Sequence, residues 1–183
     1  MARQLSAMPD ERYLNLGSGP RGLDDPHWLN IDGFPDRNVH HLVDFRRPLP
    51  FADDSFDGVF CEHVLEHFTL EDGEAISREV CRMLKPNGRF RVIVPDAERV
   101  MRCYFEDGLK DHRDGETPME AVNSYFRQRY EHQFMYDGET MVAMLKRAGF
   151  GSADVAGFRS GGGMSSLDDE CYAAESLYVE ARK

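Results

Sequence analysis

The 183-residue chain has no Cys-x-x-Cys pair, no apolar run of membrane length and no excess of basic residues, and each lack removes a class of function. The four cysteines, Cys61, Cys81, Cys103 and Cys171, stand far apart, so neither a zinc site nor a secreted disulfide framework is expected. A reducing cytoplasm is the expected location. Met1 to Arg12 is polar and lacks the apolar core of a signal peptide, and no membrane span is expected anywhere. Lysine and arginine total 22 against 33 aspartate and glutamate, a formal net charge of −11. That is the wrong sign for tracking a phosphate backbone, so nucleic acid is not an expected partner. His40-His41 and Asp168-Asp169-Glu170 have no ligand spacing with one another and read as solvated loops, so no metal is expected.

What the chain does have is alternation. Short apolar runs ending in Gly, Asp or Pro alternate with helical patterns, which is the mark of parallel βαβ construction in a single α/β domain. Tyr13 to Leu16 is stopped by Gly17-Ser18-Gly19-Pro20, Trp28 to Ile31 ends at Asp32, and His41 to Val43 ends at Asp44. Phe56 to Cys61 runs into Glu62-His63-Val64-Leu65-Glu66-His67. Thr69 caps a helix that Lys85-Pro86-Asn87-Gly88 must end, and a fifth strand follows from Phe90 to Val94. Ala97 to Met135 reads as a two-helix insertion, its second helix opened by the capping box Thr117-Pro118-Met119-Glu120, with Met119, Val122, Phe126 and Tyr130 on one face. Asp137 caps the last helix. Ser160 to Ser166 reads as a flexible loop between two late strands, 154–158 and 176–181, that form an antiparallel pair.

In an open parallel sheet, ligands bind beyond the carboxyl ends of the strands. Glycines at Gly17 and Gly19 let the backbone turn sharply and approach a ligand, although such turns also serve as plain structural turns. Asp32, at the end of the second strand, is placed to accept both hydroxyls of an adenosine ribose; a helix-cap or turn role is its alternative. Asp44 can accept the adenine amino group with Phe45 covering the ring, or can pair with Arg46 or Arg47. The Pro20 to His27 connection carries two prolines and leaves no room for the full helix on which a dinucleotide site seats its pyrophosphate. A cofactor without phosphates suits this turn better.

These residues carry a family resemblance. The segments 13–19, 28–32, 49–57, 63–68 and 83–88, in order and spacing, resemble small class I S-adenosylmethionine-dependent methyltransferases of the type-11 group. Within that group the chain is most similar to a predicted subgroup associated with cell-surface polysaccharide synthesis. The resemblance implies a Rossmann-like three-layer sandwich whose mostly parallel seven-stranded sheet has an antiparallel last strand. It implies that Gly17, Ser18 and Gly19 hold the methionine part of S-adenosyl-L-methionine, Asp32 the ribose, and Asp44 with Phe45 the adenine. Asn15 stands where the family often has an acid and is carried over with the turn, while Cys61 and His63 complete the expected cofactor contacts.

Methyl transfer needs alignment, desolvation and removal of the nucleophile's proton. His63 is the first candidate for a general base, with Glu66 or His67 binding substrate or orienting it; the alternatives are a His67 turn cap and a Glu66–arginine pair. His132 is a second catalytic candidate, with Tyr136 beside it. The aromatic faces at Tyr104, Phe105, Tyr125, Phe126 and Tyr130 read as packing. The 97–135 insertion is expected to be a substrate lid, with a homodimer surface as its alternative. The acceptor is a small molecule or a sugar hydroxyl, with O-methylation expected. Two other readings compete: a nicotinamide-dependent oxidoreductase, and a methyltransferase-like binding protein without turnover. S-adenosylhomocysteine should raise the melting temperature while NAD does not, because only a ligand of the folded state stabilises it by mass action. A larger shift with NAD would sink the methyltransferase reading.

Overall fold

The computed structural model describes residues 11–110 and 117–183; the start of the chain and six residues of the insertion lie outside them. Seven strands, β1 Tyr13–Leu16, β2 Trp28–Asp32, β3 His41–Leu42, β4 Phe56–Glu62, β5 Leu84–Pro95, β6 Ser152–Ala156 and β7 Ser176–Arg182, form one sheet. Its order is β3-β2-β1-β4-β5-β7-β6. The first five strands pair in parallel, and β7 runs antiparallel to both β5 and β6. The expected Rossmann-like sheet with its antiparallel last strand is therefore what the chain forms.

Side chains alternate across the strands and divide the core in two. Leu14, Leu16, Val59, Cys61, Val92, Val94 and Val179 pack with residues of the helices α1 Leu70–Met83 and α4 Gly138–Arg147. Phe60, Ile93 and Tyr178 face the other way and meet Met164 from the C-terminal loop. The helices start where the sequence places caps: the Thr69 hydroxyl accepts from Asp72 N at 3.2 Å, and Asp137 accepts from Thr140 N at 2.8 Å.

The insertion holds α2 Ala97–Asp107 and α3 Pro118–Arg127, the latter with the expected capping box complete. The two have a small core of their own around Val100, Leu109, Ala121 and Val122, into which Tyr104, Tyr125 and Phe126 pack. Phe105 and Tyr130, read as packing residues, are instead 77% and 81% exposed. Tyr130 misses the expected face because α3 stops at Arg127 and Gln128, Arg129 and Tyr130 all take positive φ.

Two further local expectations are corrected. Lys85 to Gly88 does not separate helix from strand as a free turn: β5 begins at Leu84, opposite Phe56, and resumes pairing with Arg89 opposite Gly58. The turn residues bulge out of the strand, with Asn87 at φ +64°, a conformation asparagine tolerates better than most. The loop read as flexible and solvated is folded. Residues Gly163–Leu167 form a 3-10 turn with Met164 and Ser165 buried.

What pins this loop is Arg91 of β5, whose side chain has no solvent exposure. Its Nε donates to Asp168 Oδ1 at 3.0 Å, its Nη2 donates to Asp168 Oδ2, and its remaining donors meet the carbonyls of Ser160 and Gly157 at 2.9 and 3.0 Å. Arg159 N also donates to Asp168, at 2.7 Å. Removing the carboxylate takes away two hydrogen bonds and leaves a buried guanidinium with only Glu180, at 3.7 Å, as counter-charge. Asp168→Ala is expected to destabilise the fold by about 3–5 kcal/mol, read as a lower urea midpoint at unchanged slope. A loss below about 1 kcal/mol, the range of an exposed pair, would contradict this account of the loop.

Candidate functional site

The carboxyl ends of β1, β2 and β4 open into a cleft of about 1420 Å³, larger than the usual site for one small molecule and roomy enough for a cofactor and an acceptor. Asn15, Gly17, Ser18, Gly19, Asp32, Asp44, Phe45 and His63, expected to contact a cofactor, all line it. The turn between β1 and β2 needs its glycines: Gly17 and Gly19 sit at φ +73° and +47°, and a Cβ on Gly17 would run into the Val64 side chain. A 3-10 turn of three residues, Gly19–Arg21, replaces a first helix, as the prolines required. Ser18 Oγ is buried and has no hydrogen-bond partner, a hydroxyl left for something in the cleft to satisfy.

Asp32 is tied into the turn it faces. Its Oδ2 accepts from Gly19 N at 2.8 Å and its Oδ1 from Phe34 N at 2.9 Å, leaving further lone pairs free. Asp44 takes the arginine alternative as well as lining the cleft: Oδ2 accepts from Arg47 Nε at 3.2 Å, and Oδ1 from Arg46 N at 3.1 Å. Asn15 spends its amide on the scaffold, donating to Asn30 Oδ1 at 3.1 Å. Cys61 is fully buried in the main core and is not part of the cleft wall, and burial pushes its thiol pKa well up.

His63 follows β4 directly at φ +53°, a strained position for a side-chain-bearing residue. Its Nε2 lies 3.0 Å from Ser176 Oγ, its Nδ1 3.1 Å from Glu66 Oε1, and its ring packs against Tyr172 at 4.2 Å between centroids. The arginine partner considered for Glu66 is therefore replaced by His63. His67 does line the cleft, and its Nδ1 meets the Glu131 carbonyl at 3.2 Å. His132 stands behind the wall, against His67 with 4.9 Å between ring centroids, and burial holds its pKa below the ordinary value. Tyr136 is fully buried against Gly73, away from the cleft lining.

Several cleft residues escaped the sequence reading. Phe34 and Leu42, 80% and 59% exposed, flank Asp32 and Asp44 as apolar walls; the aromatic residue type two positions after Asp32 was the available signal. Arg21 reaches Glu62 at 3.1 Å, Asp169 at 2.8 Å and the Tyr172 hydroxyl at 2.8 Å, closing one end of the cleft. Burial raises the Glu62 pKa, against the opposing pull of the Asp169 backbone N–H and Arg21. No local pattern announces Tyr172, which arrives on the loop that Arg91 pins. Seven acids and three arginines line the cleft among the described residues, a balance that suits a cationic sulfonium and opposes a pyrophosphate. The glycine cradle, the unpartnered Ser18 hydroxyl and the free acceptors of Asp32 fit S-adenosylmethionine.

Comparisons with known proteins agree. The family model described as "Methyltransferase domain" matches residues 34–92. The chain is 31% identical over 174 residues to the ubiquinone/menaquinone biosynthesis C-methyltransferase UbiE of Vibrio parahaemolyticus, covering 79% of this chain and 66% of that protein. It is 26% identical over 150 residues to the sterol 24-C-methyltransferase of Yarrowia lipolytica, covering 81% of this chain and 36% of that protein. The chain thus spans only part of the length of these relatives. A crystal structure of a SAM-dependent methyltransferase from Archaeoglobus fulgidus shares the fold at a TM-score of 0.60 and 13% identity, over 94% of this chain and 86% of that one. Asp32→Ala is expected to weaken S-adenosylhomocysteine binding tenfold to a hundredfold, through lost charge-assisted hydrogen bonds of about 1.5–3 kcal/mol. Unchanged affinity by titration calorimetry, in a variant with native circular dichroism, would refute the assignment.

Proposed function

Because this chain is a relative of S-adenosylmethionine-dependent methyltransferases and carries their fold, we propose that it transfers the methyl group of S-adenosyl-L-methionine to a hydroxyl of a small molecule. The observation that carries the reading is the convergence on one cleft of the glycine turn, Asp32 and His63, each at the carboxyl end of a neighbouring strand. When bound, the cofactor supplies an electrophilic methyl on a sulfonium. Gly17 to Gly19 hold its methionine end, Asp32 its ribose, and Asp44 with Phe45 its adenine.

His63 is the proton acceptor of this proposal. Glu66 Oε1 lies 3.1 Å from Nδ1, and its buried carboxylate offsets the charge of the imidazolium formed when Nε2 takes the proton of a hydroxyl. The Ser176 hydroxyl stands at Nε2 in the structure, and an entering acceptor hydroxyl exchanges with it. A sugar hydroxyl is the acceptor we favour, on the resemblance to the polysaccharide-associated subgroup. Transfer to carbon is the second reading, favoured by the names of the relatives. The 97–135 insertion serves as a lid in this scheme: Tyr130, Glu131 and Gln133 reach the cleft wall. A homodimer seated on Phe105 and Met119, 77% and 51% exposed, is the competing use of the same segment. Cytoplasmic location belongs to the same proposal; among the described residues no helix is long and apolar enough to cross a membrane.

The test is incubation with S-adenosylmethionine carrying a 13C-labelled methyl, a panel of hydroxyl acceptors including sugars, and NMR of the product, which tells O-methyl from C-methyl carbons. The expected product is an O-methyl ether. His63→Ala is expected to lower kcat by about 10²–10⁴-fold while S-adenosylhomocysteine affinity holds within about threefold. A methyl on carbon, or undiminished turnover without His63, would overturn the hydroxyl-and-base reading.

A further inference from the structure

Behind the cleft wall, two histidines and a carboxylate meet with their donor atoms within 4.8 Å of one another: Glu66, His67 and His132. We propose that they bind a divalent first-row transition ion, of which zinc is the representative. Glu66 and His67 lie on the 3-10 turn Leu65–His67 that follows β4, and His132 comes from the far end of the insertion. Backbone bonds hold the two segments in register. Gln133 N and Phe134 N donate to the Glu66 carbonyl at 2.8 and 3.2 Å, and the Gln133 amide donates to the His67 carbonyl at 2.8 Å.

Two independent features point to an ion. Each imidazole has its Nδ1 on a backbone carbonyl, His67 on Glu131 at 3.2 Å and His132 on Tyr125 at 3.0 Å. A carbonyl only accepts, so in the neutral rings Nδ1 carries the hydrogen and Nε2 presents its lone pair, the outer-shell arrangement that orients metal-binding histidines. The second feature is Glu66. Its side chain is 1% exposed, and neither carboxylate oxygen has a hydrogen-bond donor; the approach of His63 Nδ1 to Oε1 is close but does not make one. A carboxylate buried in this way calls for a cation.

The donor set decides the class of ion. Two imidazole nitrogens and one carboxylate suit zinc, cobalt, nickel or iron(II), whereas magnesium and calcium prefer all-oxygen shells. Three protein ligands leave a fourth position open, as in catalytic zinc sites. His67 also lines the cleft, so the ion site adjoins the cleft wall from behind. Bonds of about 2.1 Å place tetrahedral donors about 3.4 Å apart, which rotamer adjustments within the observed separation supply. The site stands on its own geometry and does not depend on the cofactor reading.

The experiment titrates Co2+, then Zn2+, into the chelator-stripped full chain, following the visible absorption of cobalt. The expected result is one Co2+ per chain with the intense bands of low coordination, displaced by Zn2+, at micromolar affinity or tighter. His132→Gln and His67→Gln, checked for native circular dichroism, should each weaken binding at least tenfold. The pale spectrum of hydrated cobalt, or equal affinity in both folded variants, would overturn the site; in the latter case the ion binds elsewhere. If one variant fails to fold, the other decides. S-adenosylhomocysteine calorimetry on the same stripped sample separates the two claims: a normal isotherm with no cobalt binding rejects the ion site alone, and cobalt binding with no isotherm rejects the cofactor reading alone.

Discussion

The structure depends on the hydrogen-bond ladder on both sides of β1. Leu16 pairs with Ile31 of β2 and with Cys61 of β4, all in parallel, so three strands deliver their carboxyl ends at one level. Parallel strands buried on both faces leave such ends as the place where backbone must turn and polar groups can face solvent. Gly17, Asp32 and His63 are each one or two residues beyond that level. Everything assigned to the cleft follows from this alignment.

A second constraint closes the cleft from the other side of the chain. Arg91 is too polar to be buried alone, and the carboxylate that satisfies it belongs to a loop about seventy residues away. Bringing Asp168 to Arg91 brings Asp169 to Arg21 and Tyr172 to His63. The core on that sheet face and the mouth of the site are thus organised by one buried ion pair. The insertion contributes the opposite rim, where three successive residues at positive φ turn Tyr130 out of α3 and into the cleft. Strain of that kind persists where surrounding contacts over-determine it.

Much of this was legible in the sequence because its causes are local. The glycine turn, the acid ending β2, the Thr69, Thr117 and Asp137 caps and the proline-broken first connection each act over a few residues. What could not be read were partnerships across the chain. Glycine and serine in residues 160–166 carry the composition of a mobile loop, and no neighbouring residue hints that Arg91 will order it. Lys85 to Gly88 carries every mark of a turn, yet β4 and β5 pair on both sides of it, and a bulge absorbs the extra residues. Asp44 with Arg47 was one of two open readings, and only geometry shows it serving the arginine while still facing the cleft. The meeting of Glu66 and His67 with His132 joins positions 65 residues apart, beyond any ligand spacing a sequence pattern can recognise.

The central claim is that the carboxyl ends of β1, β2 and β4 form the seat of a sulfonium cofactor. A crystal structure of the chain with S-adenosylhomocysteine tests it most directly. The account predicts the homocysteine end in the Gly17 to Gly19 turn with Ser18 Oγ engaged, and the ribose hydroxyls on Asp32. Ligand bound elsewhere, or a cleft left empty at saturating S-adenosylhomocysteine, would contradict it.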